Sequence, residues 1–149
     1  MDLQKELLKV HTQQQERLVY YIIALCVTSI GFSIYQTTGH SLKWIQIPLA
    51  LALLSWGLSI YCGLRFLNYL LEIIYNKSTQ DVTNKGENPE IGTNPQEIFF
   101  EVKRLEKAIM SDAIKSSILF NRQQKLFYLG VALFVFWHFL EMYNCSQIN

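Results

Sequence analysis

Three apolar runs, residues 18–35, 44–64 and 126–143, limit what this chain can become. Each is nearly free of charge and approaches the ~20 apolar residues that cross a ~30 Å hydrocarbon core. A backbone in lipid must satisfy its own N–H and C=O groups, and runs of this length without strand-like alternation leave only helices. The predicted fold is therefore an all-α membrane protein, a single domain over 1–149, whose three transmembrane helices extend into a cytoplasmic helical bundle.

The cations give the orientation. Of thirteen Lys and Arg, Lys5, Lys9 and Arg17 precede the first run, nine lie between the second and third, and only Lys43 falls in the short turn between the first two. Lys and Arg collect on the cytoplasmic side, which places the N-terminus and the long connection inside and the C-terminus outside. Acidic residues bring the formal net charge to +1 and hide this bias, but the rule counts only cations. An apolar content of 50% with 17% charged residues fits neither a disordered chain nor a basic nucleic-acid binder, so no nucleic acid is expected as a partner. The segment before the first run carries acids as well as bases, and no small-x-small cleavage site follows it. The first span is expected to be retained rather than removed as a signal peptide.

Outside the runs the chain reads as helix. Asp2 can cap a stem over 1–17 in which Leu3, Leu7 and Val10 share a face. Residues 65–77 hold neither Gly nor Pro, so the second span should continue into the cytoplasm as a stem. Residues 78–94, polar and containing Gly86, Pro89 and Gly92, read as a loop. At its end Asn94 offers a cap, Pro95 suits the first helical position, and Glu97 completes a capping box. A cytoplasmic helix over 95–125 should then run without a break into the third span.

Three features bear on function. Arg65, Asn68, Glu72 and Asn76 recur at spacings of three and four on an otherwise apolar helix, which should be packed on most of its other sides. Charged faces are more often solvated than lumenal, so the stripe reads first as a face turned to cytosol, with Arg65 snorkelling to the interface. The alternative is a wet vestibule shared by several subunits, with Arg65 ringed at its inner mouth. Small residues form the second feature: Ser55, Ser59 and Gly63 on one run, Ala24, Thr28 and Gly31 on another. Such faces admit close helix approach, here expected within the hairpin of spans one and two, with packing between chains as the alternative. The third is an apolar edge of Ile98, Val102, Leu105 and Ile109, broadened by Phe99, Ile114, Ile118 and Phe120. It is expected to pack on the stems around Leu3, Leu7, Val10 and Ile73 rather than on a separate partner.

Little in the chain suggests chemistry. His138 and Glu141 lie one turn apart near the outer end of the third run, but one imidazole and one carboxylate make an incomplete metal site. With Trp137 and Tyr143 they read as an interfacial cluster. Cys26 and Cys62 fall inside spans and behave as small apolar side chains. Cys145, in the outer tail, reads as a free thiol, with a bridge between two copies as the alternative. No metal and no cofactor is expected. The Ser and Thr of the spans have no adjacent base to activate them, so an enzyme is not expected.

The strings WGLSIYCGLR (56–65), PEIGTNP (89–95) and WHFLEM (137–142) resemble those of small three-span bacterial membrane proteins of unassigned function. The resemblance covers most of the chain from the first run onward and implies a bacterial inner-membrane setting. It carries no activity and no functional residue. The expected function is that of a self-associating membrane protein, a homo-oligomer in the lipid bilayer that forms or gates a pore, or perturbs the membrane as an effector regulated from the cytoplasmic side. The alternative is a non-catalytic accessory or scaffold subunit that docks a cytoplasmic protein partner.

Overall fold

The computed structural model describes residues 2–37, 44–85 and 95–146, with side chains from Val10 onward except those of His11, Cys145 and Ser146. Among the described residues all but Lys85 are helical and none is in a strand. Helix α1 spans Asp2–Thr37, a 3-10 turn covers Trp44–Gln46, α2 spans Ile47–Asn84, and α3 spans Pro95–Ser146. Their 36, 38 and 52 residues make rods of roughly 54, 57 and 78 Å. Each is long and apolar enough to cross a membrane.

Local chemistry accounts for the ends. Pro48 sits in the first turn of α2, where a missing N–H removes no intrahelical bond. Pro95 opens α3 for the same reason, with Glu97 in its first turn opposite the positive end of the helix dipole. The cap expected from Asn94 lies outside the described residues. At the far end of α2 the Lys85 N–H donates to the Asp81 carbonyl at 3.3 Å, closing the last turn.

One expectation needs correction here. Residues 78–84 belong to α2 rather than to a loop beginning at 78. They are polar but contain no Gly or Pro, and polarity alone does not break a helix. The turn is also held by packing, since Thr83 is buried and Gln80 Nε2 reaches Glu106 Oε1 at 3.5 Å. Helix α3 likewise runs past the expected end at 143 to Ser146.

The chain divides into two compact units, residues 1–63 with 120–149, and residues 64–119. In the first, three helices pack around Ile22, Cys26 and Trp56, with Ile30, Leu53, Ile60, Phe127 and Phe134 closing the cluster. Among the described side chains the buried positions of α1 are Val19, Ile22, Cys26 and Ser33, and those of α2 include Leu49, Ala52, Trp56, Ser59 and Gly63. Steps of three and four residues (or their sum) keep each seam on one side of its helix, the spacing of knobs-into-holes packing.

The second unit is a helical hairpin. Gln80 meets Glu106, and the Lys115 ammonium stands 5.4 Å from the centre of the Tyr69 ring, so this part of α2 runs antiparallel to the start of α3. Phe66, Leu70 and Ile73 are buried on one helix and Leu105 on the other. Ile98, Val102 and Ile109 are half-buried, as expected of an inward edge, whereas Phe99, Ile114 and Ile118 stand exposed and do not broaden it. Val10 is half exposed, and the side chains of Leu3 and Leu7 lie outside the described residues.

Candidate functional site

The polar stripe lies on α2 within the hairpin unit. Arg65, Asn68 and Glu72 are exposed and Asn76 is half-buried, so the structure leaves the stripe open along its length. The Arg65 guanidinium carbon stands 6.0 Å from the Tyr69 ring centre, and the Lys115 ammonium approaches the same ring. Both lie at the range where a cation is attracted by the ring quadrupole. The remaining sides of this helix do not match the expectation of packing on most of them. Phe66, Leu70 and Ile73 are buried, but Leu71, Ile74 and Tyr75 are 66%, 57% and 72% exposed. A hairpin supplies one neighbour, and one neighbour covers one face. Leu71, Glu72, Tyr75 and Asn76 line a shallow depression of about 430 Å³ beside the stripe.

The two small-residue faces have different fates. Ser55, Ser59 and Gly63 are buried in the first unit. Ala24, Thr28 and Gly31 are exposed, and a methyl group at Gly31 would meet nothing within 4 Å. The Thr28 hydroxyl donates to the Ala24 carbonyl at 2.9 Å, so its polar group is satisfied inside α1. The α1 face therefore does not pack in the hairpin as expected, and the α2 face is buried with Ser59 and Gly63 set against Gln123 of α3. The physical reason is that Cys26, Ser29 and Ser33 provide a second small-sided seam on α1, and that seam includes the large contacts Val19 and Ile22.

A buried polar node escaped the sequence reading. Gln123 of α3 is fully buried; its side-chain Nε2 donates to the Val19 carbonyl of α1 at a long 3.5 Å. The Ser59 hydroxyl of α2 donates to the Gln123 main-chain carbonyl at 2.9 Å. One residue thus ties three helices at one level. Gly63 makes room for it, since a Cβ there would fall 2.5 Å from Gln123 Nε2. Gln123 Oε1 is buried without a hydrogen-bond partner, and an amide oxygen in that state loses hydration with no replacement. The signal was available in the spacing: Gln123, Phe127, Gly130, Phe134 and Trp137 step by four, three, four and three along α3.

Trp56 illustrates the same close fit. It is 2% exposed, its ring centre 5.7 Å from that of Phe134 at an interplanar angle of 44°. A Cβ at Gly130 would lie 2.5 Å from Trp56 Nε1 and 2.6 Å from Cδ1, so the glycine admits the indole. The Nε1 group itself has no partner, and neither has that of buried Trp137.

His138 is exposed, with its ring 6.2 Å from Trp137, and Glu141 is half-buried. Among the described residues no three His, Cys, Asp or Glu side chains gather as a metal site. Cys26 and Cys62 are buried free thiols; the side chain of Cys145 lies outside the described residues. Comparison of the chain with protein-family models, with curated proteins and with solved structures gives no match.

Proposed function

We propose that the chain is a self-associating integral membrane protein that forms or gates a pore, or perturbs the bilayer, under control from the cytoplasmic side. In this reading the N-terminus and residues 65–125 face the cytoplasm and the C-terminus lies outside, in a bacterial inner membrane. The observation that carries self-association is the open small-residue face of α1. Ala24, Thr28 and Gly31 offer the close approach that favours helix pairing in lipid, while the helices of this chain pack on the other side of α1. The exposed Arg65–Asn68–Glu72 stripe supports the pore, because α2 continues without a break from its apolar stretch into the stripe. Arg65 immediately follows that stretch at its cytoplasmic end, where a ring of guanidinium groups would repel cations.

Mass in mild detergent is the first test, and an oligomer is expected. Vesicles holding the protein should release a small dye, and Arg65→Glu should shift ion preference from anions toward cations. Tight vesicles at high protein density would sink the pore reading.

A second reading is favoured by a different observation. Phe99, Phe100 and Met110 are 63%, 72% and 68% exposed on the polar half of α3, which suits a scaffold that docks a cytoplasmic protein. A monomer in detergent that recovers a stable partner from cells would move the conclusion there.

A further inference from the structure

We infer that α2 carries a second, outward seam over residues 64–82 and that its occupant is the same seam of another copy, in a parallel coiled coil. Leu64, Asn68, Leu71, Tyr75, Ser78 and Val82 step by four, three, four, three and four. This is the a/d pattern of a heptad repeat, and all six residues are exposed. Phe66 and Ile73, which are buried, fall on the opposite side of the heptad wheel. The helix therefore has two apolar faces, and the hairpin covers one.

Lipid does not account for the outward face. Leu71 lies ~36 Å along the axis from Ile47, past a ~30 Å hydrocarbon core that begins at the start of α2. Leu71 and Tyr75, among the most exposed large apolar side chains of the hairpin, would then stand in water.

Three arguments select a second copy as the occupant. First, the positive-inside bias gives every copy the same orientation, so two α2 helices leaving the bilayer side by side are already parallel and near in register. Second, the area suffices. Burying the exposed parts of Leu71, Ile74, Tyr75 and Val82 removes roughly 400 Å² per chain from water, and Leu64 at the bilayer edge extends the contact to roughly 500 Å², about 1,000 Å² for a pair, the threshold for a specific interface. Third, the seam is self-complementary at its one strongly polar core position. Asn68 has both an amide donor and an acceptor and can pair with Asn68 of the second copy, a contact that fixes register at the expense of stability. Arg65 and Glu72 then flank the seam at its wet rim and stay open to solvent, while Asn68 of the stripe is taken into the seam. The inference rests on the self-association proposed above and does not depend on a pore.

Cross-linking in membranes tests it. In full-length protein with its native cysteines replaced by serine or alanine, Leu71→Cys and Tyr75→Cys should form intermolecular disulfides about tenfold faster than Lys77→Cys, because only seam positions bring Cβ atoms within the ~4 Å a disulfide needs. Asn68→Leu should raise the resistance of the oligomer to detergent dissociation and broaden its mass distribution, as loss of a register-fixing polar pair requires. An oligomer by mass whose seam cysteines react no faster than Lys77→Cys would overturn the seam and leave self-association standing. A monomeric mass with unlinked seam cysteines would overturn both. Seam cysteines that link only to a heavier, different protein would show that the face belongs to another partner.

Discussion

At the level of single residues, four glycines separate close approach from accident. Gly130 lies against the rigid Trp56 indole, and Gly63 against the amide of Gln123, whereas Gly31 and Gly57 face open space. Gly130→Ala should destabilise the protein by about 1–3 kcal/mol, because an overpacked site must displace a ring that has nowhere to go. Gly57→Ala should be neutral or stabilising by about 0.5–1 kcal/mol, since only the chain-entropy penalty of a helical glycine is removed. Detergent-titrated unfolding followed by circular dichroism measures both, and equal effects would contradict the packing around Trp56. The Gly130 contact was hidden in the sequence, where the residue reads only as the one glycine of a long helix. The sequence names a residue, but which ring lies over it depends on how two helices dock.

At the level of elements, residues 78–84 show how far composition can mislead. Ser78, Thr79, Gln80, Asp81 and Asn84 are loop-like in isolation, yet they form the last two turns of α2. Hydrogen bonds continue through polar residues when nothing interrupts them, and the buried Thr83 anchors the turn. Gln80→Pro should therefore cost about 3 kcal/mol and reduce helicity, the penalty of an interior helix proline rather than of a loop substitution. Melting curves with the ellipticity at 222 nm would reveal it; a change within about 0.5 kcal/mol would mean that the segment behaves as a surface loop. By contrast the start of α3 was legible, since proline tolerates only the first turn of a helix.

At the scale of the whole molecule, the three helices among the described residues that are long and apolar enough to cross a membrane make membrane topology the property most open to measurement. With the N-terminus inside and the native cysteines replaced by serine or alanine, cysteine placed at His40 should react with an impermeant maleimide in intact cells, and cysteine at Lys107 only after permeabilisation. Reversed labelling would contradict the orientation drawn from the cations, and with it the cytoplasmic setting of the Arg65–Asn76 stripe. The hairpin unit carries its own surface ion pairs, Arg104 with Glu101 at 3.3 Å and Lys115 with Asp112 at 3.2 Å. Each links residues one turn apart on α3, so they support the helix locally by a few tenths of a kcal/mol and do not specify how the hairpin closes.

Helix, number of helices and the apolar stretches followed from the sequence alone, because a run's length and its freedom from charge act locally and need no partner. The spacing of Arg65, Asn68, Glu72 and Asn76 is likewise a property of one chain segment. Tertiary structure decided which of two small-residue faces on neighbouring helices is used, that Gln123 joins three helices at one level, and that Leu71 and Tyr75 remain uncovered. Those outcomes depend on the rotation of each helix about its axis. That angle is set by the competition of all faces for a limited set of neighbours, and no single stretch of sequence contains it.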